Sequence, residues 1–425
     1  MLRHYLILQF TSLIILNQSL YLTCTLFILG PRFSIDLYVL DITKRADIFS
    51  IIVALSFLPY LFVSPIGGLV ADRFNKKYIL VTLEFLNSIL IISLTLLLYM
   101  KENAIISIAI VLILLSMVSA FYLPTVQSSI PLITSKDSLE KSNGIISSIG
   151  SLTNIIAPAI GGALYSFFGI KKLLIYAAFI FIIAALIELF ISIPYKKITS
   201  ENKILTTLFD DFKEGIDYLI NKNKIIFNLS LSAALINFTL SSFVIVGTPI
   251  ILRRVMHGSN TMYSTGMIIL ECGTLIGAIF AGKLAKILKI SQLYKGVFVT
   301  AIFLILGGMS TLSIVNHHNN FIFSFIYFFF NAAIMATATA ISIIAISYIQ
   351  RTTPENLLGK TMATIMAFAQ IAAPIGQIFY GFILQKYINT VFIPIIIASI
   401  LTLGVTYFAK ISLKVTRDNE EELTG

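Results

Sequence analysis

Long runs of apolar residues, separated by short polar turns, dominate this chain of 425 residues. Most runs hold about 20 residues, enough for an α-helix to cross a hydrocarbon core of roughly 30 Å. The alternating segments of about ten residues that a transmembrane β-barrel needs are missing from the sequence. The pattern therefore predicts an all-α membrane protein with twelve transmembrane helices, at 18–41, 47–70, 79–99, 105–127, 143–168, 172–194, 225–252, 262–284, 292–315, 321–349, 360–385 and 388–411.

The longest polar connection, residues 195–224, follows the sixth predicted span. It separates an N-terminal six-helix bundle, residues 1–194, from a C-terminal six-helix bundle with a short cytoplasmic tail, residues 225–425. The apolar positions of residues 209–225 recur at helical spacing, which predicts an amphipathic helix on the cytoplasmic surface. Residues 1–17 are either an interfacial helix or an extension of the first span.

The composition agrees with a membrane protein and explains the basic charge. Hydrophobic residues make up 57% of the chain and charged residues 12%, about half the charged share of a soluble domain. If both termini are cytoplasmic, 21 lysines and arginines lie on the inner side and 8 on the outer side. This bias predicts cytoplasmic termini, so the net charge of +10 does not indicate a nucleic-acid partner.

Several kinds of chemistry find no support in the sequence. Cys24 and Cys272 both lie in apolar runs, so no disulfide framework is expected. No phosphate-loop lysine motif occurs, which argues against direct drive by ATP. The pair His317-His318 has no further ligands nearby in the sequence, so we expect no metal, no cofactor and no enzymatic activity. We expect a monomer whose partners are the lipid bilayer and a small molecule.

Two pairs of short segments repeat at nearly one spacing. Residues 68–71 (GLVA) resemble residues 282–285 (GKLA), 214 positions later. Residues 157–161 (APAIG) resemble residues 373–376 (APIG), 215 to 216 positions later. The repeats indicate an internal duplication, as in two-bundle transporters. The alternative is chance similarity between helices rich in small residues.

The loop after the second span carries the most specific motif. Its sequence, GGLVADRFNKK at 67–77, resembles the loop signature of the major facilitator superfamily through Gly68, Asp72, Arg73, Lys76 and Lys77. Residues 58–73, 212–224 and 354–382 further resemble the macrolide-efflux branch, which also includes siderophore exporters. The resemblance implies two bundles that rock around a midplane site. It also implies export of a small amphipathic compound, driven by protons that flow inward.

Within this motif, Gly67 and Gly68 are expected to let helix backbones approach closely. Asp72 can face the positive end of a neighbouring helix, in this case span 11, and so close a cytoplasmic gate. Arg73, Lys76 and Lys77 belong to the same gate motif, or act only as topology signals.

A second motif, in span 5, resembles the antiporter signature of the family. It comprises Ala157, at a position where glycine is usual, and Pro158, Gly161 and Gly162. Proline bends a helix by removing a backbone hydrogen bond, and the glycines allow close packing. The alternative is an ordinary kinked membrane helix.

Charged residues inside spans are candidates for proton coupling, because each costs roughly 2.5–3.5 kcal/mol at the centre of a span. Arg32 and Asp36 lie four residues apart on one helix face. Their pairing is either a proton-dependent switch or a static structural contact. Glu271, near mid-depth of span 8, either takes up a proton or stays neutral and hydrogen-bonded. The span-4 arginine that many family members use aligns with Leu115, so either Arg32 replaces it or the coupling differs.

Four further polar residues lie within predicted spans. The resemblance places Asn237 of span 7 and Asn331 of span 10 on helices that line the cavity, where they either bind the ligand or tie helices together. Glu84 and Glu188 lie nearer the cytoplasmic ends of spans 3 and 6, where we expect snorkelling or packing.

These features and the resemblance favour a proton-coupled exporter of a macrolide-type drug in a bacterial cell membrane. The alternatives are a siderophore or lysolipid exporter and a proton symporter that imports a small solute. A membrane enzyme or a receptor is a remote alternative, because the sequence has neither converging catalytic groups nor a large extramembrane segment.

Overall fold

The computed structural model describes residues 31–100, 104–133, 139–190, 193, 213–256, 258–316 and 320–413, except for some side chains within the helices. The predicted all-α fold is confirmed for this part of the chain, which contains no β-strand. Its helices are α1 (31–43), α2 (Ala46–Arg73), α3 (Lys76–Met100), α4 (Ala104–Ile133), α5 (Leu139–Glu188), α6 (213–222), α7 (Lys224–Val255), α8 (Asn260–Leu284), α9 (Leu293–Asn316), α10 (Asn320–Thr352), α11 (Glu355–Lys386) and α12 (Phe392–Ser412).

Ten of the helices in the described part are long and apolar enough to cross a membrane. Helix α5 counts once among them, although its 50 residues are interrupted at Gly169, where φ is 70° and ψ is 168°. This backbone conformation is essentially restricted to glycine, and it falls where the sequence predicts the turn between spans 5 and 6. The total of twelve spans remains a prediction, because residues 1–30 lie outside the described part.

A two-residue connection, Phe74 and Asn75, joins α2 to α3, in agreement with the tight turn that the sequence predicts. The Asn75 side chain accepts a hydrogen bond from the backbone N–H of Lys77 at 3.1 Å, which caps the start of α3. The Lys76 ammonium donates to the carbonyl oxygen of Ala71 at 2.7 Å, near the end of α2, where a cation is favourable. The turn is thus held by its own polar side chains.

The chain forms two compact units. Unit 1 comprises Met1–Thr43 and Leu55–Asn202, and unit 2 comprises Lys44–Ala54 and Lys203–Gly425. Residues 44–54, which the sequence assigns to the N-terminal half, therefore group with the second unit.

Helices α3, α4 and α5 form the best-packed part of unit 1. A buried apolar cluster joins them through Leu83 on α3, Val118 and Tyr122 on α4, and Ala184 on α5. The hydroxyl of Ser88 on α3 donates to the carbonyl oxygen of Ala178 on α5 at 3.0 Å. Hydrogen bonds of this kind hold helices together where the lipid offers no hydrophobic driving force.

In unit 2, close packing of α8 on α10 depends on glycines. A Cβ atom added at Gly273 or Gly277 would collide with the carbonyl oxygen of Ala332 or Ala336 on α10. The two glycines form a Gly-x-x-x-Gly pair, the arrangement that allows membrane helices to touch through their backbones. This pair is visible in the sequence, although nothing was predicted from it.

The start of α2 packs on α11 within unit 2. Gln385 accepts a hydrogen bond from the backbone N–H of Ala46 at 2.8 Å, which satisfies one of the free donors at a helix start. Just before it, the Arg45 guanidinium donates two hydrogen bonds to the Asp47 carboxylate. These hydrogen bonds raise the pKa of Arg45 above its ordinary value.

Helix α6 confirms only part of the predicted amphipathic linker. Tyr218 and Leu219 are buried in an apolar cluster of unit 2 together with Leu229 and Leu293. Ile220, one of the apolar positions that predict this helix, is exposed. It lies in a π-helical turn, Tyr218–Lys222. Residues 209–212 lie outside the described part.

Candidate functional site

The polar site on α1 centres on Arg32 and Asp36. The Arg32 guanidinium donates a hydrogen bond to the hydroxyl of Ser56 on α2 at 3.2 Å. Asp36 lies within electrostatic reach of Arg32, but among the described residues the two form no direct ion pair. The two charges therefore interact through space and not as a direct ion pair in this structure, and one guanidinium nitrogen is bonded to Ser56. Whether the pairing is a switch or a static contact stays a prediction. Arg32 and Asp36 remain neighbouring charges in a helix of a membrane protein.

The opposite side of α1 packs on the motif of span 5. The hydroxyl of Ser34 donates to the carbonyl oxygen of Gly161 at 3.0 Å. Below it, Tyr165 donates to Asp41 at 3.0 Å, and its ring packs edge-on against Tyr38 with centroids 6.5 Å apart. These three contacts place the charged pair on one face of α1 and the helix-packing residues on another.

The other residues of the span-5 motif occupy the same packed region. Ala157, Gly161 and Gly162 are buried, as expected for residues that bring helices together. Pro158 lies within α5, and its side chain is outside the described part. The structure thus places the motif in a helix contact, and its role in antiport stays a prediction.

The two glycines of the loop motif differ sharply in their surroundings. A Cβ atom at Gly67 would collide with the carbonyl oxygen of Ala120 and lie 3.0 Å from Phe121 Cα, both on α4. At Gly68, no heavy atom of the described residues lies within 4 Å of the same position. The expectation of close approach is confirmed for Gly67. For Gly68 the described residues show no such contact, because successive residues of a helix point about 100° apart.

The structure describes the side chains of Lys76 and Lys77 in the loop motif, but not those of Asp72 and Arg73. Lys76 and Lys77 hold the turn between α2 and α3 through the contacts given above. Asp72 and Arg73 end α2, and their side chains lie outside the described part. The predicted contact between Asp72 and span 11 stays a prediction.

Asn237 ties two helices of unit 2 together. Its side-chain amide donates to the carbonyl oxygen of Ala369 on α11 at 2.9 Å, and its side-chain oxygen accepts from Ser241 at 3.0 Å. Asn237 begins a π-helical turn, Asn237–Ser241, and such turns in α-helices are frequent at functional sites. Of the two roles considered for Asn237, the structure shows helix linkage.

Asn331 and Glu271 are not brought to Asn237 by any described contact. Asn331 is only 2% exposed, and its amide donates to the carbonyl oxygen of Tyr327 in its own helix at 2.8 Å. The Tyr327 hydroxyl lies beside Asn331 and Thr248, which makes a buried polar cluster between α7 and α10. Glu271 is half-buried near the middle of α8. It makes no hydrogen bond or ion pair with the other described residues.

Glu84 and Glu188 do not snorkel. Their side chains are 0% and 4% exposed, and the Tyr122 hydroxyl lies 3.5 Å from a carboxylate oxygen of Glu188. The prediction of snorkelling is wrong because α3, α4 and α5 pack around these positions and cover them. The alternative reading, that they are packing residues, is confirmed.

Within each unit, a serine of one helix donates a hydrogen bond to a segment that carries Ala-Pro, a contact that no sequence pattern indicated. Ser34 on α1 donates to Gly161 on α5 at 3.0 Å, and Ser242 on α7 donates to Ala373 on α11 at 2.8 Å. Each acceptor belongs to one of the two matching Ala-Pro segments. The acceptors are at different positions of their segments, since Gly161 ends the first segment and Ala373 begins the second. Ser56, in contrast, gave no sequence signal beyond being a polar residue in an apolar run.

The described helices, ten of which are long and apolar enough to cross a membrane, are those of a polytopic membrane protein. The family model described as Major Facilitator Superfamily matches residues 19–377. The chain belongs to the Major Facilitator Superfamily, a family of membrane transporters.

Sequence relatives include two proteins named Macrolide efflux protein A. The one from Streptococcus pyogenes is 25% identical over 350 residues, which cover 82% of this chain and 83% of the relative. The one from Enterococcus faecalis is 25% identical over 323 residues, 76% of this chain and 96% of the relative. Together with the apolar helices, they support a multi-pass bacterial membrane protein.

Solved structures share the fold. A bacterial homologue of the human lysosomal transporter Spinster, inward-facing and unoccupied, matches with a TM-score of 0.71 and 14% identity, over 95% of this chain and 97% of that chain. The nucleoside transporter NupG matches with a TM-score of 0.69 and 13% identity, over 95% and 99%. At such identities, the likeness shows the fold alone.

Proposed function

We propose that this transporter exports a small amphipathic compound of the macrolide type and that inward proton flow drives the export. The polar site formed by Arg32, Asp36 and Ser56 on α1 and α2 is the observation that carries the coupling mechanism. The relatives named Macrolide efflux protein A, which align with 76–82% of this chain, support the substrate class and the direction.

The coupling rests on the cost of charge in a membrane. An ionised carboxylate in a span is expensive unless a cation lies nearby. While Asp36 is ionised, its attraction to Arg32 stabilises both charges. When Asp36 takes up a proton this attraction ends, and the Arg32 guanidinium keeps only neutral partners such as Ser56. Protonation therefore changes the forces on α1 without breaking a direct ion pair.

The same site also fits the absence of the span-4 arginine. Leu115 stands at the aligned position on α4, and Arg32 supplies a cation on α1 instead. Glu271 on α8 is a second candidate acid for proton uptake, since it is half-buried. We propose that the protein has both termini in the cytoplasm, as the distribution of lysines and arginines predicts.

Vesicles with an imposed pH gradient test the function. Everted membrane vesicles that contain the protein should accumulate a radiolabelled macrolide when their interior is acidified, and accumulation should stop when a protonophore collapses the gradient. Vesicles from cells that lack the protein give the control. Accumulation of an iron-free siderophore or a lysolipid instead would replace the macrolide assignment. A pH-independent macrolide flux would reject proton coupling.

A further inference from the structure

A groove with a volume of about 360 Å³ opens on the surface of unit 2, between α8 and α9 and over α10. The volume falls within the roughly 300–1,000 Å³ of small-molecule sites in proteins. Ile276 and Phe280 on α8 and Val299 on α9 border the groove, and all three are exposed in the whole chain. These helices are candidate membrane spans, so an exposed groove between them is within reach of a lipid chain.

Small residues give the groove its depth. Ala336, Thr337 and Ala340 of α10 line it. Gly296 of α9 lies so close to α10 that an added Cβ would be 2.5 Å from Ile341 Cδ1. Larger residues at these positions would fill the groove, so its shape depends on these small residues. Nearly all of its lining is apolar, which suits a hydrocarbon chain.

The end of the groove beside the loop between α8 and α9 is cationic. Lys295 lines the groove and is exposed, and Lys283 lies over the Phe280 ring at 5.5 Å. Lys286 and Lys289 follow in the loop, while the sequence contains no aspartate or glutamate between Glu271 and Glu355. An apolar slot with a cation at one end complements a molecule with an apolar chain and an anionic head.

We propose that this groove binds one acyl chain of an anionic phospholipid from the cytoplasmic leaflet, with the lipid phosphate at Lys295. The lysines of this loop lie on the cytoplasmic side in the predicted orientation, where anionic lipids attract basic residues. A zwitterionic phospholipid fills the slot equally well but lacks the net charge that Lys295 attracts. The groove should therefore prefer the anionic lipid about fivefold, which corresponds to roughly 1 kcal/mol at one lysine.

The absence of tryptophan from the chain provides a clean test. In the full-length protein, Phe280→Trp places a single fluorophore at the groove, and Ile400→Trp places one on an exposed face of α12. Each variant is reconstituted in phosphatidylcholine vesicles, and its quenching is measured with brominated phosphatidylglycerol and with brominated phosphatidylcholine. Phosphatidylglycerol should quench about fivefold more effectively at position 280. The two lipids should quench equally at position 400.

Two further substitutions in the Phe280→Trp background separate head-group from chain binding. Lys295→Gln should abolish the preference for phosphatidylglycerol, whereas Lys386→Gln, at the other end of unit 2, should leave it intact. Thr337→Leu should fill the slot and weaken quenching by both lipids. Equal quenching by the two lipids at position 280 would overturn the proposal, as would a preference that survives Lys295→Gln. If Thr337→Leu fails to fold, the comparison of Lys295→Gln with Lys386→Gln still decides the outcome.

Discussion

The contrast between Gly67 and Gly68 gives a prediction with a built-in control. Alanine at position 67 would put its Cβ 3.0 Å from Phe121 Cα, whereas carbon atoms in unstrained contact are roughly 3.5–4.0 Å apart. Helix α4 must therefore retreat by about 0.5–1 Å. Overpacking of this kind costs about 1–3 kcal/mol, and the better helix propensity of alanine returns at most about 1 kcal/mol. We expect Gly67→Ala to lower the free energy of unfolding by about 1–2 kcal/mol.

Gly68→Ala makes the same chemical change one residue later, where the described chain leaves the space open. It should be neutral or slightly stabilising. Thermal unfolding in detergent, followed by fluorescence-detected size exclusion, compares the two variants with the wild type. Gly273→Ala and Gly282→Ala repeat the comparison in unit 2, since the first meets Ala332 and the second meets open space. Equal stability of Gly67→Ala and Gly68→Ala would refute the helix contact described here.

Three further substitutions test contacts of the fold. Ser242→Ala removes the hydrogen bond to Ala373 and should cost about 0.6 kcal/mol, at most about 1.7, measured as a reduced unfolding temperature relative to wild type. Gly169→Ala forces a side chain into a conformation with φ of 70° and should cost about 1–3 kcal/mol, and unchanged stability would argue against the break in α5. Glu188→Gln keeps the shape of the side chain beside Tyr122 and should preserve the yield of folded protein. Glu188→Lys puts a buried cation in place of the acid and should abolish that yield. A well-folded lysine variant would contradict the burial of this position.

The ends of the helices could be predicted closely from the sequence. This is because the free energy of moving an apolar run into the membrane depends on the residues of that run alone. The third span, predicted at 79–99, is Lys76–Met100 in the structure. The turn before it was also readable, since asparagine and lysine supply the caps that helix ends need. The two matching Ala-Pro segments were visible in the sequence as well. In the structure, the first accepts a hydrogen bond from Ser34 and the second accepts one from Ser242.

Partners of individual side chains were harder to predict because they depend on which helix faces meet. Gly67 and Gly68 are identical in type, yet only the first faces α4. Arg32 and Asp36 have the spacing of a helical pair, but Arg32 bonds a serine of the next helix and forms no direct ion pair with Asp36. Glu188 lies near a helix end, where snorkelling is common, and the packing of three helices covers it instead. The pattern of residues along one helix does not say which neighbouring helix each of its faces will contact.

The central claim is that Asp36 carries the proton that drives export, and macrolide accumulation in everted vesicles tests it most directly. The assay compares the wild type, Asp36→Asn and Asp41→Asn under the same imposed pH gradient, with protein amounts matched by immunoblot. Asp41→Asn makes the same change on the same helix at a residue that bonds Tyr165. We predict that Asp36→Asn loses gradient-driven accumulation while Asp41→Asn retains it. Gradient-driven accumulation by Asp36→Asn at the wild-type rate would contradict the account.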